Sequence, residues 1–124
     1  GLRDHLPDAE VHWPDAAPSE AVPSAEAVPA WAGECWAIEA ELTPKTVSRT
    51  TAIMAEILSR TGDYGCPAAQ AHVPGRAPRH ARAVYLCSPA AAGTVRRARD
   101  ALGEDAARIE IRALPPSAYL PRLR

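Results

Sequence analysis

The sequence predicts an α/β fold: a mixed sheet of about four strands, in the chain order strand, strand, helix, strand, helix, strand, flanked by helices. Three observations carry this. Ile38, Ala40 and Leu42 alternate with Glu39 and Glu41, and the pattern then changes to helical spacing. Ala83-Val84-Tyr85-Leu86-Cys87 is an unbroken apolar run, as expected of a strand covered on both faces. Residues 108–113, Arg-Ile-Glu-Ile-Arg-Ala, alternate again, as a half-exposed strand near a sheet edge does.

The first strand follows Pro7. Ala9, Val11 and Trp13 alternate with Asp8, Glu10 and His12, which sets Asp8 at the strand start on its polar face. Residues 14–34 are a Pro/Ala/Ser/Glu tract without a period, longer than the ~2–5 residues of an ordinary hairpin loop. They are expected to form a loose insertion between two antiparallel strands. The second strand spans roughly 35–42, with its three apolar residues on one face and both carboxylates on the other.

A helix is expected over roughly 44–61. Thr43 is its candidate cap and Pro44 its first residue, where a missing N–H costs nothing. Lys45 then falls in the first turn, next to the positive end of the helix dipole, a mildly unfavourable place for a cation. Val47, Thr50, Thr51, Met54, Ile57 and Leu58 form the inward stripe, and Lys45, Arg49, Glu56 and Arg60 another face. A second loop, 63–82, ends in a basic stretch containing His72, Arg76, Arg79, His80 and Arg82. After the strand at 83–87, Ser88-Pro89 repeats the signal of a cap followed by proline. The helix it opens runs to about Leu102 before Gly103, with Val95, Ala98 and Leu102 inward and Arg96, Arg97 and Arg99 outward. The tail from Pro115 is irregular. The helix after the second strand is a crossover, so the third strand should lie parallel to its neighbour.

With 124 residues the chain can bury one modest core, and 47% apolar residues mark it as globular rather than disordered. There is no Phe, so the core must draw on Ala, Val, Ile and Leu with three Trp and three Tyr. No apolar run approaches the ~18 residues of a membrane span, and no signal peptide is visible. The chain opens at Gly1 rather than Met, from which a processed or engineered end and further residues or a domain upstream are expected. Cys35, Cys66 and Cys87 are an odd count without CxxC spacing, which argues against zinc and for reduced thiols in the cytoplasm. A net charge of −1 does not by itself mark a nucleic-acid binder, although an acidic metal site would offset a basic patch in the total.

The acids of the second strand are the candidate chemistry. Phosphodiester hydrolysis needs a metal that polarises a phosphoryl oxygen and activates water. Mg²⁺ takes hard oxygen ligands, commonly one or two carboxylates completed by water. Asp8 and Glu39, on adjacent strands, are the candidate ligands, and the Ala40 carbonyl a further one. Lys45 is the candidate for orienting water or meeting the developing phosphate charge. Each residue also has a plainer reading: a solvated strand face for Glu39 and Glu41, a turn residue for Asp8, an exposed helix lysine for Lys45. His5 and His12 lie close enough in sequence to touch the site, though a surface or hydrogen-bonded role is the commoner one. Arg49, Arg76, Arg79 and Arg82 are the candidate contacts to DNA phosphates.

Pro7-Asp8, then Glu39-Ala40-Glu41 with Lys45 beyond, resembles the PD-(D/E)xK nuclease superfamily. The local pattern His5-Leu6-Pro7-Asp8-Ala9 with Glu39-Ala40-Glu41-Leu42-Thr43-Pro44-Lys45 is similar to replication-relaxation-type proteins of actinobacterial mobile elements. The likeness covers roughly residues 3–113 by element order and about a dozen positions by motif. It implies a restriction-endonuclease-like fold, Mg²⁺ or Mn²⁺ as cofactor, DNA as partner, and catalytic roles for Asp8, Glu39, Glu41 and Lys45 in plasmid replication or transfer. The family's lysine sits two residues after the acid; here Glu41 holds that seat and Lys45 must reach back to it. A first helix usual in the family would lie upstream of Gly1. The alternative is therefore an inactive nuclease fold serving DNA binding or protein interaction. A third reading is a homodimer built through the edge strand 108–113.

Overall fold

The computed structural model describes residues 5–14, 31–60 and 78–115. Cys66, His72 and Arg76, most of the 14–34 insertion and the tail beyond Pro115 lie outside them.

The elements are β1 (Ala9–His12), β2 (Cys35–Glu41), α1 (Val47–Ser59), β3 (Arg82–Cys87), α2 (Pro89–Asp100), a 3-10 turn (Gly103–Arg108) and β4 (Ile109–Ala113). The four strands form one mixed sheet in the order β1-β2-β3-β4. β1 pairs antiparallel with β2, and β3 lies parallel to both β2 and β4. The expected α/β architecture and strand directions are therefore present, with β4 at an edge.

Two crossovers run in the same direction across the sheet, so right-handedness brings both helices to one face. That face carries Ala37, Glu39 and Glu41 of β2, in register with Ala83, Tyr85 and Cys87 of β3, followed by Ile109 and Ile111 of β4. Against it pack Ile53, Met54, Ile57 and Leu58 of α1 and Val95 and Ala98 of α2. Gly103 closes α2 with φ +67°, the left-handed backbone that glycine adopts without strain.

Two readings are corrected, the first being the solvated strand face offered for Glu39 and Glu41 in the second strand. The face carrying the two glutamates is the one the helices cover, not the one carrying Ile38, Ala40 and Leu42. Glu39 is 2% exposed and Glu41 6%, whereas Ala40 is exposed and Leu42 is 51% exposed. Alternation assigns residues to two faces but not the helices to either; crossover handedness does that.

The second correction concerns α1. Its cap is Thr46, whose side-chain oxygen accepts from the Arg49 N–H at 3.2 Å, so the helix begins at Val47 rather than at Pro44. Lys45 lies in the connection before the helix, free of the dipole penalty that a first-turn position would impose. Thr43 and Thr46 offer the same chemistry, and only the path of the chain out of β2 chooses between them. α2 does use the predicted cap, with Ser88 Oγ accepting from Ala91 N–H and Pro89 at its start.

Ser88 also ties the site end of the sheet together. Its backbone N–H donates to Glu41 O at 2.9 Å and its hydroxyl to Leu42 O at 2.6 Å. The end of β2 is thus clamped to the start of α2.

Candidate functional site: an acidic cluster at the carboxyl end of β2

The carboxyl ends of parallel strands are the usual ligand-binding edge of an open α/β sheet. Here that edge carries Glu39, Ala40 and Glu41. The antiparallel register pairs Ala9 with Ile38, and extending it by one residue sets Asp8 opposite Glu39. Ala40 lies past the last β1 pair, and its N–H donates instead to Asp8 Oδ2 at 2.8 Å. Asp8 thereby substitutes for the missing strand and is held at the sheet edge.

Each acid has its own donor. Glu39 Oε1 is 2.8 Å from His5 Nε2, and Arg60 in turn donates to the His5 carbonyl. Glu41 Oε2 accepts from Lys45 Nζ at 2.6 Å. The ammonium of Lys45 therefore reaches back to strand residue 41 from the connection after β2.

Burial pushes the Glu39 carboxyl above the ordinary carboxylate range. The His5 hydrogen bond and charge oppose this, and the neighbouring charges of Asp8 and Glu41 add to it. Tyr85 stands beside Glu39 on β3, fully buried, with a hydroxyl that has no hydrogen-bond partner among the described residues. Burial and then the charges of Glu39 and Glu41 hold its phenol far above its ordinary value. Burial and the Glu41 charge also push the Cys87 thiol up, to about 11, so it is inert as a nucleophile at neutral pH.

The donor set is of the right kind for Mg²⁺ or Mn²⁺, being all carboxylate and carbonyl oxygen. Asp8 and Glu39 each retain one oxygen that none of the hydrogen bonds above uses, and two carboxylates with water suffice for Mg²⁺. Among the described residues no group of three or more His, Cys, Asp or Glu is gathered to hold a metal. An ion held here would draw most of its coordination shell from water.

Asp8, Glu39, Ala40, Glu41 and Lys45 thus come together at one end of the sheet, while the arginines proposed for DNA do not join them. Arg82 lies toward the other end of β3, opposite Trp36, and pairs with Glu34 at 3.2 Å beneath a contact with the Trp36 ring. Arg79 pairs with Glu10 at 3.3 Å. Arg49 is exposed in the first turn of α1, and Arg76 lies outside the described residues.

The sequence puts His5 within reach of the site, with a surface or hydrogen-bonded role the commoner one, and does not mark Tyr85 within its apolar run. A single polar tip in such a run was the available signal. No local pattern marks Arg108, whose guanidinium donates to the carbonyls of Leu58, His80 and Ala81 at 2.7–3.1 Å.

No helix among the described residues is long and apolar enough to cross a membrane. No family model, curated protein or solved structure matches this chain.

Proposed function

We propose that the chain is a metal-dependent phosphodiesterase domain acting on DNA, with Asp8 and Glu39 as ligands to Mg²⁺ or Mn²⁺. The observation that supports it is the surplus of negative charge at the carboxyl end of β2. Three carboxylates meet one lysine and one histidine there, two of the three are buried, and the register sets Asp8 opposite Glu39. Buried like charges are costly unless a cation joins them.

When bound, the ion supplies Lewis acidity toward a phosphoryl oxygen and lowers the pKa of a water. The chain's own residues do the rest. Asp8 is steadied by the Ala40 N–H through Oδ2, which leaves Oδ1 outside that bond. Lys45 is the cation for negative charge developing on the phosphate. Its contact with Glu41 brings an ammonium to the seat that the resemblance reserves for a strand lysine. Ala40 offers its carbonyl at the same edge. The free thiol of Cys87 fits a reducing cytoplasm.

The test is incubation with supercoiled and branched DNA plus Mg²⁺ or Mn²⁺, beside calorimetry of ion binding. Nicking that disappears in Asp8→Ala and Glu39→Ala supports the reading. Intact DNA together with no heat of ion binding overturns it.

A second reading, a DNA-binding or interaction domain without catalysis, is favoured by one observation. Each acid already has a donor within the protein: Ala40 N–H, His5 or Lys45. Salt-sensitive DNA retention that survives both alanine variants would select it.

A further inference from the structure

Among the described residues the sheet ends on β1 at one side and on β4 at the other. β1 has only four residues, whereas β4 runs in unbroken register with β3 from Ile109 to Ala113 and contains no proline. Leu114 N–H donates to Cys87 O, so the backbone groups of Glu110 and Arg112, two and four residues earlier, also point to β3. Those of Ile109, Ile111 and Ala113 point away from the sheet. The Ile109 N–H is taken by Ala106 O of the 3-10 turn. The N–H and C=O groups of Ile111 and Ala113 remain, and no described strand pairs with them.

An open edge invites a further strand unless its side chains forbid one, and charge is a common block. In β4 the charges alternate in sign: Arg108, Glu110, Arg112. A second copy laid antiparallel about a two-fold axis must set outward groups against outward groups, so the axis passes through a residue and not between two. An axis at Glu110 sets Glu110 against itself and Arg108 against Arg112. An axis at Arg112 sets Arg112 against itself. An axis at Ile111 sets Arg112 against Glu110 of the second copy, twice over, with Ile109 against Ala113. Opposite charges directly across a strand pair stabilise it and like charges destabilise it, so the Ile111 register is the self-complementary one. Within one chain Arg112 gives Nε and Nη2 to Glu110 Oε1, at 3.0 and 2.9 Å, and its guanidinium lies 5.9 Å from the Trp36 ring. The Arg112 side chain is 54% exposed, so this arrangement is weakly held. In the Ile111 register the four charges form a square whose neighbours, along each strand and across the pair, are all opposite in sign.

We propose that β4 is a self-association edge: two copies of the chain pair antiparallel through β4, centred on Ile111, and join their sheets into one. The inference does not depend on the phosphodiesterase reading. The two-fold axis stands normal to the sheet, which keeps the helices of both copies on one face. It also turns the carboxyl ends of the two β2 strands in opposite directions, so neither acidic cluster is covered by the other copy. Two five-residue strands bury less than a standard interface, so the dimer is concentration-dependent rather than permanent.

Sedimentation equilibrium over a range of chain concentrations decides it, comparing the wild type with Glu110→Arg, Arg112→Glu and the variant carrying both changes. Each reversal alone sets like charges opposite one another and should raise the dimer dissociation constant at least about tenfold. The double variant restores the pairing with its signs exchanged and should dimerise as the wild type does. An equimolar mixture of the two single variants should form a heterodimer at concentrations where neither alone associates. A dimer indifferent to the single reversals, or a mixture that stays monomeric, overturns the proposal. So does a wild type that remains monomeric up to about 1 mM chain. If a reversal loses its fold, hydrogen exchange of the wild type takes its place. The Ile111 and Ala113 amides should gain protection as the chain concentration rises, and exchange independent of concentration overturns the proposal as well.

Discussion

Asp8, just before β1, and Glu10, within it, are two acids two residues apart, and each meets a buried ionisable partner. Asp8 stands next to buried Glu39, which bonds half-exposed His5. Glu10 bonds buried His80 at 3.0 Å and Arg79 at 3.3 Å. The second cluster is closed: one carboxylate serves two bases, and Arg108 binds the His80 carbonyl and its neighbours into the core. The first is open, since Asp8, Glu39 and Glu41 outnumber Lys45 and His5. Ion pairs alone therefore do not mark a site; both clusters have them. An imbalance of charge separates a candidate site from a brace; an unpartnered polar atom does not, because among the described residues His80 Nδ1 is buried without a hydrogen bond just as the Tyr85 hydroxyl is.

The sharpest way to break that distinction is to remove the central cation from each cluster. Arg108→Met gives up charged hydrogen bonds to three backbone carbonyls and should lose about 3 kcal/mol of stability in urea unfolding. Lys45→Met at the open cluster should lose only about 1 kcal/mol, because its ammonium is half-exposed. Equal losses would mean that both clusters are structural.

Divalent ions probe the imbalance directly. Mn²⁺ at one hundred times its dissociation constant should raise the unfolding free energy by about 2.7 kcal/mol. Asp8→Ala should abolish that gain. Glu10→Ala, although in the same strand, should keep it, and a gain lost equally in both would erase the contrast.

Acid titration supplies a smaller, signed test. The Glu39 carboxyl is raised, first by burial, so its stabilising contribution is complete below its ordinary value of 4.5 and is lost as pH rises through the raised value. The His80 imidazole is lowered, again first by burial, against its hydrogen bond to the Glu10 carboxylate. Its contribution is complete above 6.5 and is lost as pH falls through the lowered value. Between pH 7 and pH 5 the two clusters therefore pull stability in opposite directions. Denaturant melts should show a shallower acid loss in His80→Gln and a steeper one in Glu39→Gln. Parallel profiles in the two variants would contradict the assignment.

The smallest effect lies in the connection that carries Lys45. Thr46→Ala should cost about 1 kcal/mol as a lost cap, and Thr43→Ala no more than a few tenths. The reverse order would return the helix start, and Lys45, to the positions expected from the local pattern.

Much of the architecture was legible because it is written in short-range patterns. The apolar run at 83–87, the Ser88-Pro89 cap and the alternation at 108–113 each appear where expected, as does the antiparallel pairing of the first two strands. The grouping of Asp8 with Glu39 was legible too, because both fall on predictable strands. The partners of His5, Tyr85 and Arg108 were not, since they lie 27 to 50 residues away or, for the Tyr85 hydroxyl, are missing among the hydrogen bonds of the described residues.

The sequence by itself determined the period of each segment, and with it the four strands, the two helices and the separation of Glu39 and Glu41 from Ile38 and Ala40. Tertiary structure alone decided which of those two faces the helices would cover. The reason is physical: periodicity is a property of the chain's own backbone geometry, whereas burial depends on crossover handedness and on neighbours that meet only in the folded sheet. That choice buried two glutamates for which the alternation alone allowed either a solvated face or a metal site, beside a phenol without a hydrogen-bond partner among the described residues.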